Sequence, residues 1–336
     1  MREVTPGPSI PTPPAAGKAA EPHAVVFDDE ATLAPHLGAW DALAIACERP
    51  FCAPGWLLAW WREGRSGDAR LRVTLVFEGE RLIGVAPLFA QVSYGLNELR
   101  LLAAGFSHRV GLLAEPGSEQ RVATALAPAL AASDPKPASL VFEGIDARDL
   151  WPELLAAAWP GRGRPRLRTD ATMEAPSVDL GESYEAWMEK RARKFRKEAR
   201  RNARRLEEAG ASERIGSDPE AIAALLRLHE ARWEDRGGSN VGSEAERVVA
   251  EAARTLGADG RLQVILLEGP DGPISAELML RAGNTAAFWA GGFDPEWSRH
   301  APGTQTMLVA LREAAAGGVR VADLGGGDHP YQRKMA

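Results

Sequence analysis

The chain has 336 residues, a formal net charge of −6 and a 45% hydrophobic content, which together are typical of a protein with about two globular domains. The acidic balance argues against a general nucleic-acid binder, and no apolar run approaches the roughly 18 residues of a membrane span. Two cysteines, Cys47 and Cys52, have no metal-ligand spacing, so we expect a cytoplasmic protein without metal or membrane partner.

The first predicted segment, residues 1–23, is rich in proline and alanine and is typical of a disordered tail. Periodicity then predicts a first half over residues 24–180. Its expected elements are a helix through 33–47, a helix opened by Pro54, strands at 71–77, 81–90 and 99–103, a helix at 118–132, a strand at 139–142 and a helix at 150–158.

A connecting segment over residues 181–210 has apolar residues at steps of three and four, so it predicts a single helix. Ser183 is a suitable N-cap, and Gly210 suits a left-handed end. Ten of the sixteen residues 190–205 are Lys or Arg, against 30 basic and 45 acidic residues in the rest of the chain. This strip is either a solvated face or an anion-binding rim. In the second interpretation Arg196 and Arg200, one turn apart, bind a substrate phosphate or carboxylate.

The second half, residues 211–336, repeats the order of the first: two helices, a hairpin, a third strand, a helix and a strand. We interpret this repeat as an internal duplication of an α/β unit. The predicted elements are helices at 219–233 and 245–256, strands at 261–267, 274–281 and 285–291, a helix at 303–316 and a strand at 319–324.

The turn before the last long helix contains Arg299, Pro302, Gly303 and Thr304. Pro302 and Gly303 suit a helix start whose free N–H groups face outward, and such amides at the positive end of a helix bind phosphate. Arg299 would add a charged donor. The alternative is a strand-to-helix turn that binds nothing.

The C-terminal string from Asp323 to Lys334 places three glycines after a strand, followed by Asp328, His329 and Tyr331. Glycines in this position indicate a close approach of the backbone to another group. Titratable side chains past a strand end are typical of sites in α/β sheets. The alternative is a flexible loop before a frayed terminus.

The hairpin, the Pro302-Gly303 helix start and the closing Asp-x-Gly-x-Gly-Asp-x-x-Tyr string resemble GNAT-fold acyltransferases from about Val25 to the end of the chain. They are most similar to the cellulose-biosynthesis (CelD-like) acetyltransferases, relatives of the FemABX proteins that carry two GNAT-like halves. The resemblance implies an α/β fold of tandem GNAT-like halves, with mixed sheets flanked by helices and the basic helix between the halves. GNAT folds continue past the fifth strand, so the second half must be closed in another way or lack a piece.

The activity implied by the resemblance is direct transfer of an acyl group, acetyl from acetyl-CoA, to an amine or hydroxyl acceptor of the small-molecule, glycan or amino-acid type. It places the CoA pyrophosphate at residues 299–304, although Pro302 replaces the first glycine of the usual motif. Glu277, in an otherwise apolar strand, is the candidate base, unless it is only an outward-facing residue. Tyr331 is the candidate acid, and Asp328 orients either partner or binds the amine.

Two alternatives to this activity stay open. FemABX relatives use aminoacyl-tRNA as the donor, and the basic helix would then meet tRNA. A GNAT fold can also have lost catalysis and serve as a binding module for an acidic ligand. The first half, which we expect to lack both the Pro-Gly helix start and the glycine string, would be a scaffold or bind the acceptor.

Overall fold

The computed structural model describes residues 20–65, 67–161, 163–170, 172–234, 241–327 and 330–336, and only the backbone of residues 330 and 331. Within these residues it has three mixed or antiparallel sheets flanked by helices, which confirms the predicted α/β class. One six-stranded sheet forms the second half, and two four-stranded sheets form the first.

The elements of the first half follow the predicted order. The strands are β1 (His23–Phe27), β2 (Arg70–Leu71), β3 (Val73–Glu78), β4 (Arg81–Ala86), β5 (Leu88–Ser93), β6 (Leu96–Leu101), β7 (Leu113–Ala114) and β8 (Ser139–Val141). The helices are α1 (Glu30–Leu33), α2 (Leu37–Ala46), α3 (Pro54–Glu63), α4 (Glu119–Ala131) and α5 (Trp151–Ala158).

The later elements build the second half. The strands are β9 (Ser177–Asp179), β10 (Ser212–Gly216), β11 (Leu262–Gly269), β12 (Gly272–Ala282), β13 (Thr285–Phe293) and β14 (Val321–Asp323). The helices are α6 (Tyr184–Glu189), α7 (Arg193–Glu208), α8 (Pro219–Trp233), α9 (Ala245–Leu256), α10 (Pro302–Ala316) and α11 (Pro330–Met335).

The predicted duplication is visible in the strand pairing. In the first half β6 pairs antiparallel with β5 and parallel with β8, and α4 connects β6 to β8. In the second half β13 pairs antiparallel with β12 and parallel with β14, across α10. Each half therefore contains the same strand–helix–strand crossover.

Pro87 accounts for a difference between the halves. The predicted strand at 81–90 is divided into β4 and β5 at this residue, which has no N–H group for a ladder hydrogen bond. Its carbonyl instead accepts from Leu102 N at 2.9 Å, and Arg72 N donates to Leu88 O at 2.9 Å. The hairpin strands consequently change partners, and the first half has two sheets where the second has one.

The basic segment is not the single helix that its periodicity predicts. Ser183 does cap α6, accepting from Ala186 N at 3.1 Å, but the helix ends at Glu189 and Ala192 is extended before α7. The break turns Trp187, which lies off the predicted apolar stripe, into the core, where it is 1% exposed. Burial of this large ring compensates for the lost helical hydrogen bonds. The end at Gly210 is as predicted, with a φ of 82°.

The sixth strand of the second sheet comes from the segment before the basic helices. β9 pairs antiparallel with β14, and Leu324 N donates to Pro176 O at 3.0 Å just beyond the ladder. β9 therefore covers the edge of the six-stranded sheet beside β14, although it lies before the boundary predicted at residue 180.

Hydrophobic side chains form two cores. One runs through both halves, and in it Trp56 of α3 packs edge-on against Trp289 of β13 with ring centroids 5.6 Å apart. The other lies on the opposite face of the second sheet, where α6, α7 and α10 cover Met279 and Phe288. The two faces of β12 and β13 thus have different neighbours: the first half on one side and α10 on the other.

Candidate active site

A notch opens in the second sheet where β13 and β14 separate. The two strands pair only from Thr285–Val321 to Ala287–Asp323, yet β13 continues to Phe293. Between Phe288 and Gly291, β13 also has one residue more than the facing part of β12, which is a β-bulge. A bulge bends its strand and increases the local twist. The later part of β13 consequently has a free edge beside the end of β14.

Gly291 turns its backbone groups toward this free edge. Its carbonyl accepts from Nδ1 of His229 at 3.1 Å and from Nη1 of Arg232 at 3.2 Å, both on α8. In an antiparallel strand the N–H and C=O of one residue face the same side. The Gly291 N–H therefore points away from β12 as well, toward the notch.

Glu277 lies directly across from Gly291 in the ladder and is 7% exposed, so its interpretation as an outward-facing residue is wrong. Burial raises the pKa of Glu277 to about 8, against the opposing charge of Arg232. A side chain at position 291 would collide with this carboxyl group. By strand alternation Glu277 is on the same face as Met279, which α10 covers.

The predicted helix start is present at α10. Ala301, with φ 50° and ψ 51°, precedes Pro302, and the first turn has neither a side-chain cap nor an acidic residue. Gln305 N donates to Ala301 O at 3.2 Å, so Gly303 and Thr304 carry the unpaired amides of the first turn. These amides are available to an anion.

The corresponding helix start in the first half is different and lacks Pro-Gly as expected, because α4 begins at Glu119 after the N-cap Ser118. Pro116 and Gly117 precede α4, but the Gly117 N–H donates to Oε1 of Glu119 at 3.2 Å. The Glu119 carboxylate therefore already binds the free amide that precedes α4.

The C-terminal glycines lie at the other side of the notch. Gly325 and Gly327 have φ values of 79° and 127°, which confirms a need for glycine. A Cβ on Gly325 would lie 3.5 Å from Cδ2 of His108 and 3.6 Å from the Phe288 carbonyl oxygen. Gly327 N donates to Glu174 O at 2.8 Å, so hydrogen bonds fix this string. Asp328 lies outside the described residues, as does the side chain of Tyr331 in α11.

Residues 193–333 match the model of the Acetyltransferase (GNAT) domain family. This region is similar to GNAT domains. A search of curated proteins found no match.

Among solved structures, FemX is similar with a TM-score of 0.66 and 13% identity, covering 88% of each chain. The C-terminal domain of a putative lysylphosphatidylglycerol synthetase from Agrobacterium fabrum has a TM-score of 0.54 and 12% identity, and the match covers 89% of this chain and 80% of that chain. The L-PGS of Bacillus licheniformis has a TM-score of 0.52 and 12% identity, and the match covers 93% of this chain and 81% of that chain. These likenesses support the tandem GNAT fold.

The other residues predicted for the GNAT domain lie near the start of α10. Arg299 is exposed in the 3-10 helix Pro295–His300, where its Nε donates to Nε2 of His300 at 2.9 Å. α7 packs against this 3-10 helix and against α10. On α7, Arg196 is half-buried and its Nε has no hydrogen-bond partner among the described residues, whereas Arg200 is exposed. The basic strip therefore lies beside the helix start.

Sequence reasoning missed the contribution of the first half to the notch. Arg109 places its Nε 2.5 Å from Oδ2 of Asp323, at the end of β14, and its Nη1 donates to Asp146 at 2.8 Å. The neighbouring His108 lies over the glycine string. These residues follow β6 in a loop without periodicity, so their sequence contains no signal of the partner strand.

The described part of the chain contains no group of three or more His, Cys, Asp or Glu residues that could hold a metal ion. None of its helices is both long and apolar enough to cross a membrane.

Proposed function

We propose that the GNAT domain transfers an acyl group, acetyl from acetyl-CoA, to an amine or hydroxyl group of a small glycan- or amino-acid-type acceptor. The observation that carries this proposal is the divergence of β13 from β14 next to the start of α10. A thioester arm can lie along the free edge of β13, and its pyrophosphate can meet the amides of Gly303 and Thr304.

The backbone of Gly291 supplies the electrostatic part of the proposed reaction. Its N–H points into the notch, where a carbonyl oxygen of the acyl group gains negative charge during attack. A preorganised amide in a site with little water stabilises such an oxyanion more than water does. The bulge in β13 orients this amide.

Proton transfer needs two groups, because an ammonium acceptor loses two protons when it becomes an amide, and the leaving thiolate takes one. We assign Glu277 as the base and Tyr331 as the acid, with Asp328 orienting one of them or binding the acceptor amine. Burial of Glu277 supports the first role, since it brings the pKa of that carboxyl to about 8, near the working range of a general base. The roles of Tyr331 and Asp328 rest on the sequence resemblance.

The donor site can be tested by placing a carboxylate at the helix start. A Cβ on Gly303 would lie 3.2 Å from Cδ1 of Phe293, so any side chain there needs a small adjustment. We expect Gly303→Asp to weaken acetyl-CoA binding at least tenfold in calorimetry, and Gly303→Asn, of the same shape without the charge, to weaken it much less. Equal affinities in the two variants would place the phosphates elsewhere.

A second candidate donor is aminoacyl-tRNA. The observation that favours it is the basic strip of α7, which lies next to the same helix start and extends the cationic surface beyond the size of one pyrophosphate. The likenesses in fold to FemX and to the domain of the putative lysylphosphatidylglycerol synthetase agree with such a donor. Transfer from charged tRNA without acetyl-CoA binding would select this candidate, and binding of either without transfer would favour a binding module.

A further inference from the structure

Four consecutive residues of the first half are fixed against the notch. The Phe106 carbonyl accepts from Nε1 of Trp289 at 2.7 Å, and Oγ of Ser107 accepts from Nε1 of Trp56 at 2.6 Å. Arg109, with a φ of 50°, pairs with Asp323 and donates from Nη2 to Ala175 O at 2.9 Å. Three anchors thus determine the position of the one side chain between them, His108. Rigid support of this kind is typical of functional side chains.

The His108 ring lies at the mouth of the notch. It contacts the positions of Gly325 and Gly326, and the Phe288 carbonyl is beside the same glycine. Neither ring nitrogen has a hydrogen-bond partner among the described residues, and the ring is half-buried. Phe51 packs against it edge-on, with centroids 6.4 Å apart. The imidazole ring therefore lies against the glycine string that borders the notch.

His108 and Glu277 are on opposite faces of the sheet. Trp289, which bonds to the His108 loop, belongs to the core shared with the first half, whereas Met279 and Phe288, on the face of Glu277, belong to the core under α10. The notch is therefore flanked by a carboxyl group on one face and an imidazole on the other.

The charges around His108 favour its neutral form. Burial lowers the pKa of His108, and the Arg109 guanidinium lowers it further, while Asp323 on β14 opposes them. Asp146 faces Arg109 and neutralises part of its charge. Glu277, with a pKa of about 8, mostly carries its proton at neutral pH. Two groups whose environments separate their pKa values in this way suit opposite roles in proton transfer.

We propose that His108, contributed by the first half, is the proton acceptor of the acyl transfer, an assignment that rests on the function proposed above but gives the base role to His108 and the acid role to Glu277. Its ring nitrogen takes a proton from the acceptor's ammonium group, and the freed nitrogen forms a C–N bond with the acyl carbon. The C–S bond then breaks, and the thiolate takes the proton of Glu277. The Glu277 carboxylate recovers a proton from the nitrogen of the new amide, which thereby loses its second proton, and His108 returns the first proton to water.

The first test measures the access of a donor to His108 in the full-length wild-type protein. Diethyl pyrocarbonate modifies neutral imidazole, and mass spectrometry maps the modified residues. We expect modification of His108 in the free protein and at least fivefold protection by saturating acetyl-CoA, with exposed His23 modified equally in both. Acetyl-CoA binding in calorimetry without protection of His108 would overturn this inference alone. Absence of binding would overturn the acetyl-CoA site and the inference together.

The second test measures thiol release from acetyl-CoA with lysine or glucosamine as amine probe, or with water if neither reacts. We expect His108→Gln to lower the rate about 10²–10⁴-fold with a donor Kd within twofold of wild type. The acidic limb of the pH–rate profile should disappear as well. His23→Gln is the matched control and should leave rate and profile unchanged. A rate within twofold of wild type in His108→Gln, or in His108→Asn if the first variant misfolds, would remove His108 from the reaction.

Discussion

Glu277 and Gly291 depend on each other across the β12–β13 ladder. The carboxyl group occupies the space that a Cβ on the facing residue would need, and its burial without a hydrogen bond from the described residues favours its protonated form. An apolar residue would be more stable at this position. Retention of a carboxyl group where burial disfavours its charge is typical of functional positions.

Glu277→Gln should change the dependence of stability on pH. The folded protein holds the Glu277 proton up to a pKa of about 8, while the unfolded chain releases it near 4.5. Between these values the folded state binds more protons, so its stability falls as pH rises. The glutamine variant lacks this loss. We expect its melting temperature to exceed that of wild type at pH 8 by more than at pH 5.

Glu80→Gln is the control for this measurement, because Glu80 is exposed in the β3–β4 turn. Melting curves of the three proteins at pH 5, 6, 7 and 8 give the comparison. A constant difference between wild type and Glu277→Gln over this range would mean that Glu277 is charged in the folded protein.

The basic helices are the element on which sequence and structure differ most. Periodicity correctly predicted burial of Phe195, Ala199 and Leu206 in α7. It could not predict the break before α7, because Arg191 bridges the break to carbonyl groups at the other end of the chain, Met335 O at 2.8 Å and Ala336 O at 2.6 Å. Such contacts depend on tertiary packing, which local spacing does not contain.

The strands and helices themselves were largely readable, because each half repeats clear apolar periods and strong turn signals. The helix start at Pro302 and the glycine string were readable for the same reason. The sixth strand was not, since β9 has only three residues and pairs with a strand more than 140 residues later. The position of His108 was also hidden, because a loop without periodicity gives no information on its neighbours.

On α7, the shape of the cationic groups should matter more than their charge. Arg196 and Arg200 are one turn apart and can bind a phosphate or carboxylate with paired N–H groups, a geometry that lysine lacks. We expect Arg196→Lys with Arg200→Lys to raise the acceptor KM several-fold and to leave the unfolding free energy within about 1 kcal/mol. Steady-state kinetics and thermal melting measure the two quantities.

The matched control replaces the exposed Arg193 and Arg204 of the same helix by lysine and should have a smaller effect. Acetyl-CoA affinity is measured in parallel. If it weakens while the acceptor KM stays constant, the helix serves the donor. If neither constant changes in either double mutant, the strip is a solvated face.

At the scale of the whole molecule, the two halves share a core and a second contact far from the notch. Glu48, just after α2, accepts from Nδ2 of Asn284 and from Oγ1 of Thr285, both at 3.2 Å. These residues belong to or adjoin the turn that joins β12 to β13. The same turn therefore connects the sheet of the second half to a helix end of the first. We infer that the halves unfold together.

Gly283 and Gly95 test this inference, because they occupy corresponding hairpin turns in the two halves, with φ values of 56° and 78°. Alanine at either position costs about 1–2 kcal/mol for the left-handed backbone. A Cβ on Gly283 would also lie 2.7 Å from the Ile45 carbonyl oxygen of the first half, whereas a Cβ on Gly95 would meet nothing within 4 Å. We expect Gly283→Ala to lower the melting temperature clearly more than Gly95→Ala, and calorimetry of both to show one transition. Equal losses would mean that the halves adapt easily at this contact, and two separate transitions in either variant would mean that they unfold independently.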